Sequence, residues 1–159
     1  MVCFSLYICS MYQILLHLHS LFRWLVLISL IFAIYRAWRG YRGRKLFTRK
    51  DNTIRHRTAT IAHIQLMLGF TLYFKSPFTR APLKMMLQNM ELSFFSIIHI
   101  SLMLIAIVLI TIGSGLSKRR IADEEKFRTM LIWFSIALFI ILIAIPWPFS
   151  PFSQRPYFR

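Results

Sequence analysis

The sequence predicts an all-α integral membrane protein, an up-down four-helix bundle formed by a single domain over residues 1–159. Hydrophobic residues make up 57% of the chain, and its mean hydropathy is +0.59, which a soluble domain of alternating apolar and polar positions would not reach. Four stretches carry almost no charge, and each approaches or exceeds the ~20 apolar residues that cross ~30 Å of hydrocarbon. The predicted spans are residues 12–35, 58–74, 92–116 and 127–145.

The first span is expected to run inward from about Tyr12 and to end near Gly40. The ten residues before it, MVCFSLYICS, lack the basic start and the cleavage site of a signal peptide. They are read as an apolar extension, or as residues upstream of a true start at Met11. Cys3 and Cys9 lie only there and match no metal or redox spacing.

The second span follows a basic hinge, and Thr53 or Thr58 is expected to cap its helix. This helix should run outward and stop before Pro77, since proline disfavours helix in the residue ahead of it. Residues 75–91 form the predicted outer loop, in which MLQNM is expected to be a short interfacial helical turn.

The third span should run inward from Leu92, and the fourth should run outward until Pro146 and Pro148 halt it. Between them, SKRRIADEEKF is typical of a tight, solvated turn. Strands are not expected, because an open sheet cannot satisfy its backbone hydrogen bonds in lipid.

The net charge of +15 is explained by orientation rather than by nucleic-acid binding, which we do not expect. Of the 20 Lys and Arg residues, 14 lie in the two segments that join spans one to two and three to four, and five lie on the opposite side. Such an excess marks the cytoplasmic side and places both termini outside. It also attracts anionic lipid, so the bilayer itself is a predicted partner.

The ionisable residues inside the spans are almost all histidines: His17, His19, His63 and His99, with Arg23 as the only fixed charge. A proton-driven transporter usually needs a buried carboxylate, and the span interiors contain no Asp, Glu or Lys. Histidine without carboxylate is the pattern expected of metal or haem ligation, in which a neutral imidazole donates a lone pair.

The depths of these histidines predict which of them meet. At ~1.5 Å per residue, His19 lies ~7 Å and His99 ~8 Å to the outer side of the span centres, whereas His63 lies ~4 Å to the inner side. We expect all three to converge on an outer-half cavity between the first three helices, with the fourth only closing the bundle. Met103, one turn from His99, is an alternative axial ligand.

Arg23 predicts which face of the first helix is interior. A guanidinium that faces lipid at mid-depth costs several kcal/mol, so its stripe, which includes His19, should face the bundle. His17 points ~200° away from His19 and should be interfacial. Arg23 could pair with Gln65 or with backbone carbonyls, but a cofactor carboxylate or a quinone oxygen beside it would explain its position better. The simpler interpretation of each histidine is an interhelical hydrogen bond, and His56 in the hinge should be solvated.

Several segments resemble a family of small bacterial four-span membrane proteins labelled b-type cytochrome-like, a largely uncharacterised group. The resemblance rests on LHSLFRW, TATIAHIQLMLGFTLYF, FFSIIHISLMLIAIVLITIG and IPWPFSP with the SQRPYFR tail, and covers nearly the whole chain from Met11. It implies the bacterial inner membrane, and it implies that His19, His63, His99 and Arg23 are the cofactor-binding residues. The broader four-helix haem-b group often has two histidine pairs, and this chain lacks a second.

The predicted function is that of a membrane b-type cytochrome-like protein. Two of the three histidines would ligate one haem b, and electrons would come from quinol or a partner oxidoreductase. One alternative is a copper- or zinc-handling membrane protein with three imidazoles around the metal. The other is a non-catalytic subunit or assembly factor, since no nucleophile triad, P-loop or HExxH helix is present.

Overall fold

The computed structural model of the protein describes residues 2–76, 83–145 and 147. The predictions that concern the side chains of the extension, the prolines Pro77, Pro82, Pro146 and Pro148, and the tail beyond residue 147 lie outside the described part. Every regular element within it is helical. The elements are α1 (Val2–Arg42), α2 (Arg49–Lys75), α3 (Leu83–Gln88), α4 (Met90–Ser93), a π-helical turn (Phe94–Ile98), α5 (His99–Arg119) and α6 (Asp123–Ala144).

Three of the described helical segments are long and apolar enough to cross a membrane: Met11–Arg42, Phe94–Arg119 and Asp123–Ala144. The fourth long helix, α2, has 27 residues, but its first third carries the hinge charges and its middle carries His63 and Gln65. It is therefore less apolar than the other three, although its length would suffice.

The four long helices pack in a ring, with α1 and α5 each lying against both α2 and α6. Hydrogen bonds fix the direction of α1 against α2, because Ser29 contacts Thr58 whereas the later Arg36 contacts the earlier Asp51. The two helices are thus antiparallel. The core between the helices is apolar, and Leu30, Ile110 and Phe134 are fully buried in it.

Two glycines permit the closest helix approaches. A Cβ at Gly113 would overlap Trp133 of α6, and a Cβ at Gly40 would overlap the Phe127 ring. Small residues at such positions let helix backbones approach closely, which is how apolar helices pack when no hydrophobic force drives them together. Gly115, by contrast, faces open space.

The basic hinge ends in a capping box, and here the predicted cap was wrong. Thr48, rather than Thr53 or Thr58, caps α2: its side chain accepts a hydrogen bond from the Asp51 amide, and the Asp51 carboxylate accepts one from the Thr48 amide. Asp51 is only 2% exposed and also pairs with Arg36 at 2.6 Å. The helix therefore begins nine residues before the predicted span and continues into the hinge.

The pKa of Asp51 reflects its hydrogen bonds with Thr48 and its ion pair with Arg36, which joins α2 to α1. Burial alone would raise it, but hydrogen bonds from Thr48 and Arg36 and the charge of Arg36 outweigh burial and hold the pKa below its ordinary 3.8. A carboxyl whose pKa is lowered on folding contributes stability above its unfolded pKa. That stability is lost as the pH falls through the folded pKa.

We expect Asp51→Asn to lower the free energy of unfolding in detergent by about 1–2 kcal/mol at neutral pH, from the lost cap and ion pair. The difference from the unsubstituted protein should be constant above about pH 5 and shrink below the ordinary pKa of 3.8. Thermal unfolding at a series of pH values measures it. Glu124→Gln, an exposed change of the same charge, is the control, and a gap that stays constant to the lowest pH would contradict the interpretation.

Candidate functional site

Two of the predicted histidines lie side by side. The His19 ring from α1 and the His99 ring from α5 have centroids 6.5 Å apart in an edge-to-face arrangement, with a 71° angle between their planes. Both side chains are partly buried. This contact agrees with the similar depths that the sequence predicts for His19 and His99.

The orientation of His99 is set by α6. Its Nδ1 lies 2.8 Å from the carbonyl oxygen of Ala144. A carbonyl can only accept, so Nδ1 carries the proton and Nε2 keeps its lone pair. An imidazole held this way, with its second nitrogen bonded to a backbone carbonyl, is the usual form of a metal-ligating histidine.

The π-helical turn directly precedes His99. The His99 amide donates to the carbonyl of Phe94, five residues earlier, which widens the helix by one residue. The rings of Phe94 and Phe95 then both lie close to the His99 ring, with centroids 6.0 and 6.3 Å away. Single π turns inside helices are rare and occur frequently at functional sites.

His19 is held by α2. The Gln65 amide nitrogen donates to the His19 carbonyl at 2.9 Å and lies 3.4 Å from His19 Nε2. Among the described residues, neither His19 Nδ1 nor Gln65 Oε1 has a hydrogen-bond partner, although both atoms are buried. Gly69 forms a cradle beneath the ring, since a Cβ there would lie 3.3 Å from His19 Cε1. Unmatched polar atoms in a buried site indicate a missing partner.

Arg23 lies one turn along α1 from His19 and is partly buried. Its guanidinium is 3.4 Å from the Ser20 hydroxyl and 5.6 Å from the Trp24 ring centroid. His17 is exposed. The face of α1 that was predicted to be interior, from the energetic cost of a lipid-facing Arg23, is therefore the face that carries His19 and lies against His99.

His63 does not join the pair. It is exposed, and its Nε2 contacts the Thr111 hydroxyl at 3.0 Å. Thr111 lies twelve residues beyond His99, about 18 Å along α5 at ~1.5 Å per residue. The buried face of α2 is instead built from Ala59 and Ala62, which leaves His63 beside it rather than on it. Three histidines were expected to converge, but the structure brings only His19 and His99 together, and the prediction for His63 was wrong.

Two contacts of this site were not predicted from the sequence. Gln65 was considered only as a partner of Arg23, although it lies two positions from His63 and so points ~200° away from it, as His17 does from His19. The contact of His99 with the Ala144 carbonyl could not be predicted from the sequence, since every residue of α6 has the same backbone oxygen. Met103 packs against the core, and His56 is exposed as expected.

Within the described residues, no group of three or more His, Cys, Asp or Glu side chains is placed to hold a metal ion. No protein-family model, curated protein or solved structure matches the chain. The described geometry brings together two imidazoles from different helices, with one guanidinium and one side-chain amide close by.

We expect His99 and His63 to adopt opposite tautomers, because the hydrogen bond of each ring, to the Ala144 carbonyl and to the Thr111 hydroxyl, involves a different ring nitrogen. His99 should carry its proton on Nδ1, whereas His63 should carry it on Nε2, because the Thr111 hydroxyl already donates to the Ile107 carbonyl. Nitrogen-15 NMR of histidine-labelled protein in bilayers without added cofactor measures both.

Thr111→Val is the matched control for that measurement. It should release the His63 preference and leave His99 unchanged, since the two sites share no contact. A His99 ring protonated on Nε2 would show that the Ala144 carbonyl does not set its orientation.

Proposed function

We propose that the chain is a bacterial inner-membrane protein with four spans and both termini outside. The three apolar helices support insertion, and α2 would be the fourth span. The 14-to-5 distribution of Lys and Arg supports the orientation, because it concentrates charge at the hinge and at the turn between α5 and α6.

Single cysteines test this orientation in a background that carries Cys3→Ser and Cys9→Ser. Leu46→Cys and Ile121→Cys, at positions 79% and 95% exposed, should react with a membrane-impermeant maleimide only after the cells are permeabilised. Met85→Cys in α3 should react in spheroplasts. Labelling of positions 46 and 121 from opposite sides would refute the topology.

We propose further that the protein binds haem b and transfers electrons, as a member of the b-type cytochrome-like family it resembles. One observation carries the proposal: His19 and His99, from separate helices, have ring centroids 6.5 Å apart. Two imidazoles this close could both reach one iron, since a metal–imidazole bond is ~2 Å long.

The residues around the pair fit such a group. His99 keeps its Nε2 lone pair, the buried His19 Nδ1 has no hydrogen-bond partner in the described structure, and Phe94 and Phe95 offer aromatic surface. His19 and His99 would be the axial ligands, and Arg23 would neutralise a propionate or a quinone oxygen. Haem, when bound, supplies a one-electron iron couple. Quinol or a partner oxidoreductase would be the donor.

Absorption of the purified protein tests the proposal. Protein expressed with haem available should show a Soret band, and His19→Ala and His99→Ala should each reduce it more than tenfold, because even the loss of an outer-shell partner costs about 10–100-fold in metal affinity. His63→Ala, a change of the same residue type outside the pair, should retain the band. A colourless, folded preparation of the unsubstituted protein would reject haem binding.

A non-catalytic membrane subunit or assembly factor is the second candidate. It is favoured by the same contacts, since Gln65 joins α2 to His19 of α1 and Ala144 joins α6 to His99 of α5. In that case the histidine variants should lower stability without any spectrum to lose. The copper or zinc alternative has less support, because it needs three imidazoles and His63 lies elsewhere.

A further inference from the structure

An open cavity of about 280 Å³ lies at the opposite end of the bundle from the histidine pair, where α2 begins, α5 ends and α6 begins. Ligand pockets for drug-sized molecules are typically about 300–1,000 Å³, so this one suits a smaller group. The polar side chains on its walls come from three helices and from the residue that caps α2: Thr48, Arg49, Asn52, Ser117, Lys118 and Lys126.

The cavity has an excess of positive charge. Lys126 pairs with Asp123 at 2.8 Å, but in the described part of the chain neither Arg49 nor Lys118 has a carboxylate within salt-bridge distance. No acidic side chain lines the cavity. Asp51, the nearest acid in sequence, is already engaged by Thr48 and Arg36, so it does not neutralise the two free cations.

The buried Arg55 orients the side-chain amide of Asn52, which lines the cavity. Arg55 is 5% exposed and is anchored to Ser114 of α5, with its Nη1 2.7 Å from the Ser114 carbonyl. Its Nη2 donates to Asn52 Oδ1 at 2.8 Å. With that oxygen occupied, the Asn52 NH2 group remains as the hydrogen-bonding group available to the cavity, beside the two cations.

We propose that this cavity binds the phosphate group of an anionic phospholipid of the cytoplasmic leaflet. Two unpaired cations, an oriented amide donor and no acidic lining match a phosphate, and basic pockets between spans on this side of a membrane recognise anionic headgroups. The inference rests on the proposed membrane orientation but not on haem. Its failure would leave the Soret measurement unaffected, and loss of the Soret band would leave lipid binding unaffected.

Native mass spectrometry of the full chain in uncharged detergent, titrated with phosphatidylglycerol, tests the site. Arg49→Gln combined with Lys118→Gln should weaken lipid binding about 100-fold, since each side chain would donate a charge-assisted hydrogen bond to the phosphate, worth about tenfold in affinity. Arg57→Gln combined with Arg119→Gln is the control. It removes the same charge from the same two helices at exposed positions outside the cavity, and should change binding less than about threefold, because these charges would act on the phosphate only from a distance and through solvent.

Three results would overturn the assignment. An equal loss in the control pair would show that diffuse surface charge, not the cavity, attracts the lipid. Equal binding of phosphatidylcholine would show that net negative charge is not recognised. Displacement of the lipid by millimolar inorganic phosphate would identify free phosphate as the ligand. Circular dichroism of both double variants checks that each remains helical.

Discussion

The packing of α5 on α6 is the contact on which the rest of the structure depends. Three points along the pair hold it: Ser117 donates to the Lys126 carbonyl near one end, Gly113 admits Trp133 one turn further along, and His99 reaches Ala144 at the other end. In a membrane, hydrocarbon would offer no hydrogen bonds, so groups within apolar helices would have to be satisfied by other parts of the protein. The His99 contact would do this, and it also orients the imidazole toward α1.

The helix content and the number of long helices were predictable, because uncharged stretches of spanning length are a strong and local signal. The end of the hinge was not predicted, because only Thr53 and Thr58, which lie nearer the predicted span, were considered as caps, although Thr48 and Asp51 have the spacing of a capping box. The π turn could not be predicted from the sequence. Whether a helix widens at Phe94–Ile98 depends on what its neighbours pack against, and an apolar run looks the same either way.

The candidate site was predictable in part for a related reason. Depth along a helix follows from counting residues, and it brought His19 and His99 to one level. Which side of α2 faces α1 depends on where small residues allow close approach, and Ala59, Ala62 and Gly69 select the side that carries Gln65 rather than His63. The assumption that His63 also lies on the interior face of its helix misplaced the third histidine.

The widened turn before His99 also bears on how the chain tolerates insertions and deletions. A π turn holds one residue more than the α-helical path would need, so removal of a residue there would convert it to regular helix. The helix on both sides would keep its register, including the contact of His99 with α6, because the turn alone takes up the extra residue. The addition or loss of one residue at this point is thereby accommodated within the turn, and the orientation of His99 is preserved.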